Sequence, residues 1–154
     1  MPEWEYSIVT YDPATMARAS GRELRISPKA AREVCAAIKG MMLDEAKDFL
    51  QKVIAKKAAV PYRRYKKKLP HKRGLEGAGR YPEKAASRIL EVLENAEANA
   101  EYKGLDVENL KIIHAAAYPG AKIRRYIPRA FGRATPKFET LCHVEIVLEQ
   151  VKEG

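Results

Sequence analysis

Leu110-Lys111-Ile112-Ile113-His114-Ala115-Ala116-Ala117 and Leu141-Cys142-His143-Val144-Glu145-Ile146-Val147-Leu148 bracket the stretch that decides the fold. The second octet has a period of two. Cys142, Val144, Ile146 and Leu148 fall on one face, and His143, Glu145 and Glu149 on the other. That alternation predicts a half-buried strand, and the first octet also reads as a strand. Between them, residues 120–137 carry Lys122, Arg124, Arg125, Arg129, Arg133 and Lys137 and no acid. Pro128, Gly132 and Pro136 punctuate the segment, and Ile123, Ile127 and Phe131 are its large apolar residues. A chain that leaves one strand and returns as another makes a hairpin. About nine extended residues a side, at roughly 3.3 Å each, give an arm of about 30 Å. Such an arm has too little apolar surface to fold back on itself. Its charge selects a polyanionic partner.

The charge of the whole chain points the same way. The 154 residues carry a net charge of +9. Residues 61–84 hold Arg63, Arg64, Lys66, Lys67, Lys68, Lys72, Arg73, Arg80 and Lys84 against Glu76 and Glu83, a net +7. Residues 120–137 add +6, so subtracting both from +9 leaves the remaining chain at −4. Two segments therefore hold the whole excess, a distribution that favours a nucleic-acid partner over general solubility.

Outward from the arm, the rest of the chain reads as one domain over residues 1–154, with a basic loop insertion at 61–81 and the extended arm at 120–137. Trp4, Tyr6, Ile8 and Val9 suggest an extended lead-in. Arg22-Glu23-Leu24-Arg25-Ile26 alternates and is predicted as a strand. Ser27-Pro28 opens a helix with a hydroxyl cap and a proline in the first turn. Ala31, Val34, Cys35 and Ile38 mark its buried face, and Gly40 stops it. A second helix is expected from about residue 43 to 57, with Ala46, Phe49, Leu50, Val53 and Ile54 as its stripe. Lys52, Lys56 and Lys57 at its end suit the helix dipole and RNA contact equally. The longest helix, over 82–103, buries Ala85, Ile89, Val92, Leu93, Ala96 and Ala100 and turns Glu91, Glu94, Glu97 and Glu101 outward. The fold class is α+β: a small antiparallel three-stranded sheet packed on three helices, with a long basic β-hairpin extension.

In the 61–81 loop, Pro61, Pro70, Gly74, Gly77 and Gly79 break every period, and Tyr62, Tyr65 and Tyr81 interleave with the cations. That mixture suits phosphates and stacked bases. Cys35 and Cys142 are far apart in sequence and read as reduced core thiols. No nucleotide-binding loop, nucleophile elbow or zinc spacing is present, so no catalytic residue, metal site or cofactor is assigned. His143 and Glu145 share a strand face and could form an acid/base pair for RNA cleavage. A polar outer strand face explains them more simply. An RNA-processing enzyme and a free-standing nucleic-acid-binding protein are the alternatives to a structural RNA-binding role. No apolar run spans a bilayer, and residues 1–15 lack Lys and Arg, so neither a membrane nor a secretory or transit signal is expected.

Several stretches match a known family in the right order. Leu24-Arg25-Ile26-Ser27-Pro28-Lys29-Ala30-Ala31-Arg32 and Ile38-Lys39-Gly40 come first. Leu93-Glu94-Asn95-Ala96-Glu97-Ala98-Asn99-Ala100 follows. Arg124-Arg125-Tyr126-Ile127-Pro128-Arg129-Ala130-Phe131-Gly132-Arg133-Ala134 and His143-Val144-Glu145-Ile146-Val147 complete the set. Over residues 17–149 the chain resembles the large-subunit ribosomal protein family L twenty-two. The loop closing in Gly79-Arg80-Tyr81-Pro82-Glu83-Lys84-Ala85 resembles the insertion of its archaeal and eukaryotic branch. The resemblance implies a structural constituent of the cytoplasmic large subunit, not an enzyme. Its body binds large-subunit rRNA and supports assembly, and its hairpin lines the peptide exit tunnel. Implied partners are rRNA, neighbouring ribosomal proteins and the nascent peptide, with no homo-oligomer. Arg63, Arg64, Lys66, Lys67, Lys68, Lys72, Arg73, Arg80, Lys122, Arg124, Arg125, Arg129, Arg133 and Lys137 are then the rRNA-binding residues. Phe131 stands where many relatives have a basic residue, and Glu139-Thr140 replace a basic stretch, so the resemblance assigns no rRNA contact to these positions while leaving it to the arm as a whole.

Overall fold

The computed structural model describes residues 5–8, 10–64, 66–75 and 77–151. Trp4 and Val9 of the expected lead-in and Tyr65 of the basic loop lie outside the described residues.

Strand β1 (Met16–Leu24), helix α1 (Pro28–Ile38) and helix α2 (Leu43–Ile54) come first. A two-residue ladder follows, β2 (Val60–Pro61) with β3 (Gly79–Arg80), then helix α3 (Glu83–Tyr102). The chain ends in β4 (Leu110–Ile123), β5 (Tyr126–Pro128), β6 (Ala134–Pro136) and β7 (Glu139–Gln150). The main sheet is antiparallel with order β1-β7-β4. Thus the last strand is central, and the α+β architecture is the expected one.

Sequence chemistry explains the helix ends. Ser27 Oγ accepts from the Ala30 N–H at 3.4 Å, with Pro28 in the first turn. The helix stops where Gly40 takes φ +92°, a conformation costly for a residue with a Cβ. The Gly40 N–H then donates to the Ile112 carbonyl at 2.8 Å, pinning the end of α1 to β4. Ala31, Val34, Cys35 and Ile38 are all buried, as their spacing predicts. So are Ala85, Ile89, Val92, Leu93, Ala96 and Ala100 of α3. Helix α1 lies on β4 and β7, α3 on β1 and β7, and α2 on α3. Helices and sheet share one apolar cluster, with Leu50, Leu93, Leu110, Ile146 and Leu148 among its fully buried side chains. Each such side chain contributes about 1.5–3 kcal/mol relative to exposure.

Two expectations are corrected. The first strand spans Met16–Leu24, earlier than the alternation at residues 22–26 suggests. Its buried residues are Ala17 and Ala19, which give no strong strand signal. Small residues are needed there because α3 comes close: a Cβ on Gly21 would lie 2.9 Å from Val92 Cγ2 and 2.7 Å from Leu24 Cδ1. The second correction concerns the outer face of β7. His143 is 4% exposed and Glu145 is fully buried. A central strand can be covered on both faces, and here residues from the N-terminal segment, β1 and β4 cover the side away from the helices.

Candidate nucleic-acid interface

The arm is a continuation of the main sheet. The β4–β7 ladder bulges after Pro119↔Cys142, resumes with Lys122↔Thr140 and Ile123↔Glu139, and then gives way to the short β5–β6 ladder. Lys122 is exposed near the end of β4, and Arg124 and Arg125 occupy the break before β5. Arg129 and Arg133 flank the tip, where Phe131 takes φ 63° and is 97% exposed. The Arg129 N–H donates to the Arg133 carbonyl at 2.7 Å, and the Lys137 N–H to the Arg125 carbonyl at 2.6 Å. Every residue from 124 to 138 is exposed, and the arm is held mainly by backbone pairing.

The second basic segment has more order than an irregular loop. Val60↔Arg80 and Pro61↔Gly79 close it, and the Tyr62 N–H donates to the Ala78 carbonyl at 3.0 Å. Its entry is held by Glu33, a fully buried carboxylate of α1. Glu33 accepts the backbone N–H groups of Arg63 and Arg64, each at 3.0 Å, and the Arg32 guanidinium at 2.9 Å. The side chains of Arg63, Arg64, Lys66, Lys67, Lys68, Arg73 and Arg80 are exposed, and Lys72 is half-buried. Lys72 Nζ lies 5.8 Å from the Tyr81 ring centroid. Tyr62 departs from the reading as a base-stacking residue. It is 8% exposed and belongs to the core, and burial pushes its hydroxyl pKa up.

The two basic segments meet. A cleft of about 860 Å³ is lined by Arg64 and Lys84 from the loop side and by Lys122, Glu139 and Thr140 from the arm base. Arg25, Lys29 and Arg32 at the start of α1 lie between them. Shared residues connect this cleft to one along the loop, lined by Lys66, Lys67 and Arg80, and to one under the arm, lined by Arg125 and Lys137. The arm tip stands apart from this trough. Sequence reasoning left Arg25, Lys29 and Arg32 out of the site because they lie outside the basic runs. Lys29 and Arg32, three apart on a helix, share a face, which was the available signal.

His143 and Glu145 do not form an accessible acid/base pair. Glu145 accepts from the Ser7 backbone N–H at 3.0 Å, from Ser7 Oγ, and from the Tyr118 hydroxyl at 2.8 Å, with His114 Nε2 at 2.8 Å. Burial would push the Glu145 carboxyl up. The bonds from Ser7, His114 and Tyr118 outweigh that and hold it below the ordinary value of 4.5. His143 Nδ1 accepts the Glu23 N–H at 3.1 Å, and its Nε2 lies 3.1 Å from Glu23 Oε1. Both side chains are committed to packing the sheet's second face. Among the described residues no group of His, Cys, Asp and Glu could hold a metal ion, and no helix is long and apolar enough to cross a membrane.

The profile of a family described as Ribosomal protein L22p/L17e matches residues 19–149. A protein of Methanopyrus kandleri named large ribosomal subunit protein uL22 is 58% identical over 152 residues, covering 96% of each chain. Proteins with the same name from Archaeoglobus fulgidus and Methanocaldococcus jannaschii are 54% and 52% identical, covering 97% and 92% of each chain.

Proposed function

Because the chain belongs to the ribosomal protein L22p/L17e family, we propose that it is a structural, non-catalytic constituent of the cytoplasmic large ribosomal subunit that binds rRNA along its basic trough. One observation carries this reading: both basic segments converge on one cleft, while the rest of the chain is mildly acidic. Cations along the trough and arm neutralise closely spaced phosphates that would otherwise repel, releasing their counterions. Guanidiniums at Arg124, Arg125, Arg129 and Arg133 fork to phosphate oxygens or stack on bases. The arm threads between rRNA segments and lines the peptide exit tunnel, so its tip meets the nascent peptide. The arm suits that place because it needs no core of its own and is fully solvated without RNA. Neighbouring large-subunit proteins complete its surroundings, and no homo-oligomer is needed.

The test is co-sedimentation with large subunits through a high-salt wash. Retention is expected because an arm threaded between rRNA segments stays trapped even as salt weakens its phosphate contacts. Quantitative release with the salt-washable factors, together with no affinity for large-subunit rRNA, would overturn the reading.

A further inference from the structure

The cleft between the loop and the arm base has two kinds of wall. Ile26 is buried, Pro28 and Ala117 are half-buried, and together with the more exposed Pro119 at the rim they make an apolar floor. Arg25, Lys29, Arg64, Lys84 and Lys122 are exposed and stand round it. Counting Arg32, six cationic side chains face one carboxylate, Glu139. Contact with duplex phosphates alone needs only a charged surface that follows the backbone. An apolar floor adds nothing to that contact. At about 860 Å³ it is an open cleft with room for a nucleotide-sized group. Apolar inside and cationic outside is the pattern that accepts a base through its face and a phosphate at its edge.

We propose that this cleft holds a nucleotide unstacked from a single-stranded bulge or loop of RNA, with its base on the Ile26–Pro28–Ala117–Pro119 floor and its phosphates on the surrounding cations. The inference rests on the rRNA-binding reading and makes it specific. The arm and loop cations supply affinity for any RNA. The cleft supplies preference for RNA that can extrude a base.

Full-length protein is titrated with a short RNA duplex, and with the same duplex carrying one unpaired 2-aminopurine. The expected result is roughly tenfold tighter binding of the bulged RNA, the scale of one stacked base, with a change in 2-aminopurine fluorescence. Ala117→Phe fills the floor without changing charge and is expected to reduce that preference to near unity while duplex binding persists. Lys122→Gln is expected to weaken both RNAs together. Should Ala117→Phe fail to fold, the Ala117 methyl NMR signal of the unmodified protein gives the same reading. It is expected to shift with the bulged RNA and stay in place with the duplex. Equal binding of the two RNAs, or an unmoved methyl, overturns the cleft proposal and leaves the rRNA reading standing. Adenosine monophosphate binding as tightly as the bulged RNA also overturns it, by making the cleft a free-nucleotide site. Binding of neither RNA at low salt removes both readings.

Discussion

Arg25 donates from Nε and Nη2 to the two carboxylate oxygens of Glu139, at 2.7 and 3.1 Å, and so ties the segment before α1 to the first residue of β7. Arg125 Nη2 lies 3.5 Å from the same carboxylate. The Arg25 hydrogen bond is the main cause of the depressed Glu139 pKa, with the charges of Arg25, Arg125 and Lys84 adding to it. Two guanidiniums that could reach phosphate are thereby held by an internal anion. Glu139→Gln is expected to strengthen RNA binding at low salt and to steepen the salt dependence. The log–log slope should grow by roughly 0.7–0.9 for each further phosphate that a released guanidinium neutralises. The melting temperature should hardly move, because the pair is solvated. RNA affinity unchanged by the substitution would show that neither guanidinium reaches phosphate.

Glu33 anchors the basic loop through two backbone amides, so its removal acts on order as well as on energy. Glu33→Ala leaves both amides without this acceptor, at a cost of about 1–3 kcal/mol. Hydrogen exchange at the Arg63 and Arg64 amides is the direct readout and is expected to accelerate. Exchange as slow as in the parent would mean that other contacts fix the loop entry.

Glu145 links stability to acid. Its folded pKa lies below the ordinary value of 4.5, so its contribution is complete above that value and disappears as pH falls through the lower folded one. Glu145→Gln is expected to lower the urea midpoint near neutrality. The gap from the parent should narrow only below the ordinary carboxylate range. A gap independent of pH down to full carboxylate protonation would assign the loss to packing alone.

Lys66, Lys67 and Lys68 are exposed in the basic loop. Replacing all three with Gln is expected to flatten the salt slope of RNA binding by roughly 0.7–0.9 for each phosphate they neutralise. An unchanged slope would take these three lysines out of the interface.

Residues 124–138 bury no side chain, so exchanging 124–136 for a short glycine-containing turn is expected to leave the unfolding midpoint nearly unchanged. Apart from Arg125 the trough residues remain, and the shortened protein is expected to enter large subunits, with the altered tunnel wall read from nascent-chain passage. A folded variant that fails to incorporate would make the arm the principal anchor.

Legibility in the sequence followed locality. Ser27, Pro28 and Gly40 act within a turn of themselves, and the stripe through Ile89, Leu93 and Ala96 repeats along one helix. Both were readable. The arm was readable because charge without apolar surface describes an exposed hairpin in any context. What escaped depends on partners distant in the chain. Ala17, Ala19 and Gly21 form a strand because α3 packs closely over them. Glu145 is buried because Ser7 crosses above it. The cleft collects Arg25 and Lys29 with Lys84 and Lys122, residues that no linear charge run connects.

The strand order β1-β7-β4 also sets a timetable for synthesis. Neither β1 nor β4 finds its ladder in the other; both wait for residues 139–150, translated after every other element described. Until then the apolar faces of α1 and α3 have no sheet to rest on, and closure joins residues as remote as Met16 and Glu149. Pairing over such separations is slow and leaves the unfinished chain prone to aggregation. Meanwhile both cationic segments are already made and can engage any nearby polyanion. The newborn chain therefore passes through an interval in which it is adhesive before it is folded, and a shielding factor would be most useful in that interval.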